Sequence, residues 1–163
     1  MKRSKSQVET YEEFLKSKQI VVRPSGFEPA ELSDKLFDWQ KGSVRWAVRK
    51  GKSALFEDCG LGKTLQQLEW SKQVVAYTDT PVLIVAPLAV TQQTKREGYK
   101  FGYEVNACRS QLDVKPGINI TNYEMLSHFD SEKFAGVVLD ESSILKSYSG
   151  KIKQQIIDMF RDT

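Results

Sequence analysis

The chain has 163 residues, of which 40% are hydrophobic and 28% charged, and a formal net charge of +3. That length supports one buried core and excludes two full-sized lobes, and the near balance of charge excludes a basic tail as the whole basis of function while leaving local patches open. The two cysteines, Cys59 and Cys108, stand in no CxxC or Cys/His spacing, so neither a disulfide framework nor a zinc site is expected. With no apolar run fit for a signal peptide or a bilayer span, the expectation is a soluble, cytoplasmic protein.

In chain order, apolar residues Val8, Tyr11, Phe14 and Leu15 recur at helical spacing among charges, which predicts a short amphipathic helix over 6–18. "VVRPSGFEPAEL" reads as a loop punctuated by two prolines and a glycine, and "DWQKGSVRWAVRKGK" as a helix ending at Gly51. Short apolar runs then appear at "SALFE", "PVLIVAP", "GINIT" and "AGVVLDE". Each precedes a stretch with helical spacing: "KTLQQLEWSKQVVAY", "VTQQTKREGYKFG", "NYEMLSHF" and "KIKQQIIDMFRD". Strand and helix in alternation predict an α/β domain, a mostly parallel sheet between layers of helices, with ligands at the carboxyl ends of the strands. The expected division is an N-terminal helical extension and linker over 1–26 and one nucleotide-binding lobe over 27–163.

The chemistry concentrates at "LFEDCGLGKTLQ". A phosphate loop needs glycines that let backbone approach an anion, a lysine for the outer phosphates and a hydroxyl for magnesium, set between a strand and a helix. Gly60, Leu61 and Gly62 supply the loop, and Lys63 and Thr64 the two side chains, although Glu57 stands where the general pattern has glycine. Downstream, "GVVLDES" puts Asp140 and Glu141 at a strand end, suited to the magnesium shell and to orienting a water. Upstream, Gln40 offers an amide that both donates and accepts on one adenine edge, which would select ATP over GTP; the competing reading is a polar residue on an exposed helix face with Trp39 and Trp46 packed inward.

With these residues assembled, the chain resembles the first RecA-like lobe of a superfamily-two helicase or translocase, most closely the Swi/Snf type and related phage or bacterial branches, over residues 36–146. "LFDWQKGSVRW" is similar to the glutamine motif, "EDCGLGKTLQ" to motif I, in which an acidic first position is usual, "VLIVAPLAVTQQTKRE" to motif Ia, "INITNYEML" to motif Ib and "VVLDESSILKS" to motif II. The resemblance implies a P-loop (Walker A) ATPase of the DEAD/DEAH-like class with ATP and magnesium as cofactors. In it Lys63 binds the outer phosphates, Thr64 and Asp140 the magnesium, Glu141 the hydrolytic water and Gln40 the adenine. It also implies that Pro87, Leu88, Ala89, Thr121, Asn122 and Tyr123 face nucleic acid, more readily DNA, mainly through phosphates.

Two departures carry expectations of their own. Ser143 replaces the acid or histidine that the resembled motif II uses to couple nucleotide to motif III. No motif III and no second lobe follow, so the arginine which that lobe supplies is missing, and the chain by itself is expected to hydrolyse ATP poorly until a second RecA-like lobe joins it in cis or in trans. The alternative is a truncated, non-catalytic module that binds nucleotide or a partner and regulates. A small-molecule kinase is disfavoured by Gln40, the adjacent Asp140 and Glu141, and the lack of an Arg-rich lid.

Overall fold

The computed structural model describes residues 24–140, 150–161 and 163. The helix expected over 6–18, Glu141 and Ser143 lie outside the described residues. Among the described residues there are four α-helices and four strands: α1 (Asp38–Lys50), α2 (Lys63–Thr78), β1 (Val82–Ala86), α3 (Leu88–Phe101), β2 (Val105–Ala107), β3 (Ile118–Asn122), β4 (Gly136–Leu139) and α4 (Gly150–Phe160), with short 3-10 turns around β3 and before β4. The sheet order is β2-β3-β1-β4 and every pairing is parallel.

β1 is buried along its whole length, which explains its unbroken "VLIVA": a central parallel strand has helices over both faces and no polar side. Its residues alternate between two cores. Ile84 and Ala86 join Leu65 and Leu68 of α2, Val44 and Val48 of α1, and Ile120 of β3. Leu83 and Val85 join Leu126, Phe129 and Phe134 of the turns after β3, and Ile156 and Phe160 of α4. Two helix-covered faces on one parallel sheet are the α/β layering expected from the sequence.

The segment before the sheet is fastened to α1 and α2 by polar contacts. Glu28 takes a two-point grip from Arg49, at 2.7 Å to each oxygen, and Phe27 stacks on Tyr77 with ring centres 4.0 Å apart. Gln73 accepts from the Ala30 N–H at 2.9 Å and donates to the Glu31 carbonyl at 3.3 Å. Behind it Glu69, wholly buried, accepts from Gln73 and Tyr103 and forms an ion pair with Lys72 at 3.6 Å. Burial and the hydrogen bond to Glu69 push the Tyr103 hydroxyl well above its ordinary pKa.

Several expectations are corrected. Residues 53–56 form no strand and have no ladder partners among the described residues, with Phe56 95% exposed. Just beyond them, Lys63 donates to the Glu57 carbonyl and Gln66 to its carboxylate. A short strand that the sequence reading omitted, β2, forms the far edge, and "NYEMLSHF" winds as a 3-10 turn capped by the Asn122 side chain instead of an α-helix. Among the described residues no helix is long and apolar enough to cross a membrane.

Candidate functional site

α2 begins at the loop. Its N-cap, Gly62, has φ +71, and a Cβ there would lie 2.6 Å from the Gln40 amide nitrogen, so glycine is required by backbone and by neighbour alike. No side chain caps this helix start and no acid occupies its first turn, which leaves an N-terminal dipole end favourable to an anion. Gly60 is also left-handed, with open space where its Cβ would be.

Lys63 does not point at solvent. Its ammonium donates to the carbonyls of Glu57 at 3.1 Å and Asp58 at 2.8 Å, folding the loop onto itself. One turn along, the Gln66 amide donates to the Glu57 carboxylate at 2.7 Å and to the Leu61 carbonyl at 3.3 Å. The Gln66 carbonyl oxygen and the Gln67 amide nitrogen are buried without a partner among the described residues, and both side chains line the cleft beside Lys63. Buried polar atoms left unsatisfied cost free energy, so this wall is suited to a polar ligand.

The cleft, of about 1020 Å³, brings Lys63, Glu57 and Asp140 to one space, with Trp70 and β4 forming its apolar side. Asp140 caps β4: its N–H donates to the Val85 carbonyl at 2.9 Å, and its carbonyl accepts from the Tyr123 hydroxyl at 2.6 Å. The Tyr123 bond joins the end of β3 to the acidic strand end, a link invisible to local pattern because the residues are 17 apart. Of the residues expected from the sequence to hold phosphate and magnesium, Lys63 and Asp140 line this cleft, whereas Gly60, Leu61, Gly62 and Thr64 do not.

Gln40 is 3% exposed, which removes the exposed-face reading, while Trp39 and Trp46 are about half exposed and do not pack inward as that reading requires. The Gln40 amide accepts from the Phe37 N–H at 3.0 Å and donates to the Leu61 carbonyl at 2.9 Å, clamping α1 to the loop. It adjoins the loop and does not line the cleft. Thr64, half-buried, follows Lys63 on the first turn of α2.

The second cluster sits at the carboxyl ends of β1, β2 and β3. Pro87 is the N-cap of α3, and Leu88 and Ala89 open that helix without a side-chain cap. Leu88, Thr121 and Asn122 line a small pocket of about 140 Å³ together with Arg109. Thr121 is 2% exposed and its hydroxyl has no partner among the described residues. Tyr123 turns away to Asp140. Arg109 escaped the sequence reading because it follows β2, the strand too short to recognise. Lys95 and Arg96 are on the exposed face of α3, and His128 is exposed at the end of its turn.

No family model matches the chain. Among curated proteins, it is 30% identical over 132 residues to "SWI/SNF-related matrix-associated actin-dependent regulator of chromatin subfamily A-like protein 1" of Xenopus tropicalis, covering 72% of this chain and 14% of that protein. The protein of the same name from Bos taurus is 27% identical over 140 residues. The chain thus spans about a seventh of the length of these relatives. Among solved structures, the Sulfolobus solfataricus SWI2/SNF2 ATPase core in complex with dsDNA superposes with a TM-score of 0.65 at 24% identity, over 82% of this chain and 31% of that one. The UvsW helicase of bacteriophage T4 gives 0.65 at 14% identity, over 93% and 56%. Related by sequence to the first group and by fold to both solved structures, the chain is a Swi/Snf-type superfamily-two helicase lobe of RecA-like architecture.

Proposed function

We propose that the chain is the ATP-binding lobe of a nucleic-acid-dependent ATPase, a DNA helicase or translocase, that works with a second RecA-like lobe. The observation that carries this reading is the convergence of Lys63 and Asp140 on one cleft beside an uncapped helix start. Lys63 binds the outer phosphates by exchanging its two carbonyl partners for phosphate oxygens. Thr64 and Asp140 hold the magnesium, which when bound screens the charge of the transferring phosphoryl group. Gly60, Leu61 and Gly62 supply backbone to the phosphates, Gln40 sets the loop against the adenine side, and Glu141 orients the water.

The nucleic-acid strand lies across the pocket of Leu88, Thr121 and Asn122, flanked by Pro87, Ala89 and Tyr123. Support comes from the uncapped start of α3, the unpartnered Thr121 hydroxyl and the nearby Arg109, all suited to phosphate without base reading. The dsDNA named with the Sulfolobus solfataricus neighbour favours DNA as the track.

Equilibrium dialysis of ATP with and without magnesium tests the nucleotide half. The expected result is magnesium-dependent binding whose metal dependence is lost in Asp140→Asn; equal binding with and without metal in the unsubstituted chain contradicts it. A second reading, a non-catalytic regulatory module, is favoured by the self-satisfied Lys63 loop, and it gains if the folded chain binds no nucleotide.

A further inference from the structure

We propose that Cys59 is a thiol modification site that competes with nucleotide. A low-molecular-weight disulfide of the glutathione type converts it to a mixed disulfide, and the cleft then holds either that adduct or a nucleotide. The inference rests on the nucleotide reading above and adds a redox control to it.

The two cysteines differ in what surrounds them. Cys108 is buried, and its thiol donates to the Ile120 carbonyl at 3.5 Å. Cys59 is free and exposed, and it lines the same cleft as Lys63, which the glycines after it do not. An exposed thiol alone is only a reactive group. What makes this one a site is the side chain beneath its loop. Gln66 is 1% exposed, and its amide nitrogen donates to the Glu57 carboxylate at 2.7 Å and to the Leu61 carbonyl at 3.3 Å. The amide head therefore spans the loop from two residues before Cys59 to two after it. The carbonyl oxygen of that head is buried without a partner among the described residues, and Gln66 lines the cleft with Cys59. A buried acceptor left unmet marks a place that a ligand's donor completes. Glutathione brings such donors in its peptide N–H groups and its ammonium.

The competition follows from Lys63. Its ammonium is held by the carbonyls of Glu57 at 3.1 Å and Asp58 at 2.8 Å, the two residues directly before Cys59. A phosphate that takes the ammonium from those carbonyls arrives where the Cys59 side chain leaves the backbone, and a tripeptide on its sulfur fills that space. The adduct forms without unfolding, since Cys59 is exposed and Gly60 beside it has nothing within 4 Å of where a Cβ would lie. In the exchange the Cys59 thiolate attacks one sulfur of the disulfide. A new S–S bond forms as the old one breaks, and the displaced half leaves as a thiolate that takes up the proton Cys59 gave to water. Cys59 is oxidised and the departing thiol is reduced, so no further oxidant is needed. A thiol reverses the step and returns the loop to nucleotide.

Treatment of the full chain with oxidised glutathione at neutral pH, followed by intact mass spectrometry, tests this, with Mg-ADP binding measured by calorimetry before and after. The expected result is one glutathionyl group per chain, mapped to Cys59, with Mg-ADP affinity lowered by at least about tenfold and restored by dithiothreitol. Mg-ADP at about ten times its dissociation constant is expected to slow the modification by about tenfold, because only the nucleotide-free fraction reacts. Cys59→Ser is expected to bind Mg-ADP as the parent does and to keep that affinity through the same treatment. Modification at the same rate with and without Mg-ADP, or a modified chain that binds Mg-ADP unchanged, overturns the switch and leaves the nucleotide reading standing. So does a Cys59→Ser chain that loses affinity on treatment. No binding of Mg-ADP to the folded, unmodified chain overturns the nucleotide reading itself, and the competition falls with it.

Discussion

At Gln40 a contact three residues away and another twenty-one residues away meet in one side-chain amide, and both partners are main-chain groups. That geometry predicts a structural cost for its removal before any nucleotide is present. Gln40→Ala leaves the Phe37 N–H unmet and the Leu61 carbonyl with only its 3.3 Å bond from Gln66, and is expected to destabilise the chain by about 1–3 kcal/mol in urea unfolding. Gln40→Glu, which keeps the acceptor and loses the donor, is expected to fall between. A midpoint unchanged in both variants would show the clamp to be idle. The two thiols make a second residue-scale contrast. Cys108 is buried, and burial lifts its thiol to about 11, whereas Cys59 is exposed. A thiol reagent at neutral pH is expected to label Cys59 in the folded chain and Cys108 only on unfolding; equal rates would contradict the burial. Asp113 supplies the pH dependence. The Arg109 and Ser110 N–H groups and the Ser110 hydroxyl hold its carboxyl below the ordinary 3.8. A carboxyl depressed in the folded state adds stability above its unfolded pKa and loses it as pH falls through the folded one. Asp113→Asn is therefore expected to flatten the acid limb of the stability profile below about pH 4, and an acid limb as steep as the parent's would contradict the assignment.

Among the elements, α2 bears the most varied demands, since it opens at the phosphate loop and also buries Glu69 against Tyr103, which lies between α3 and β2. Glu69→Leu keeps volume but leaves the Tyr103 hydroxyl without its acceptor, and is expected to cost about 1–3 kcal/mol in chemical denaturation. A gain in stability would mean that the carboxylate is retained for another reason. The same elements show what local pattern can convey. α1 to α4 follow apolar periodicity, α1 to α3 ending at glycine or left-handed stops, and β1, β3 and β4 follow apolar runs bounded by turn residues, so short-range rules located them. β2 was missed because "VNA" offers one buried residue and no alternation. Residues 53–56 read as a strand because pattern reports which residues a strand would bury, and carries nothing about whether a partner strand stands beside them. The site divides in the same way: the loop and Asp140 are contiguous motifs, while the Gln40 clamp, the Tyr123 link to Asp140 and the position of Arg109 arise only when distant segments meet.

For the molecule as a whole, one sheet with helices on both faces carries two candidate sites, the cleft that runs along β4 to Lys63 and Asp140 and the small pocket of Thr121 at the carboxyl ends of β2 and β3. The chain matches about a seventh of its curated relatives, so an activity that needs two lobes is expected only when the second is supplied. Restoring a second lobe in cis is expected to raise ATP turnover by about a thousandfold and to make it DNA-dependent, the scale on which a supplied arginine acts. Turnover unchanged by the added lobe and by DNA would argue for the regulatory module. All of this depends on whether the lobe holds an adenine nucleotide, and calorimetric titration of Mg-ADP and Mg-GDP into the chain and into Lys63→Ala measures that most directly. The account predicts ADP binding in preference to GDP, weakened by at least about tenfold in Lys63→Ala. A folded chain that binds neither nucleotide, or a Lys63→Ala variant that binds ADP unchanged, would contradict it.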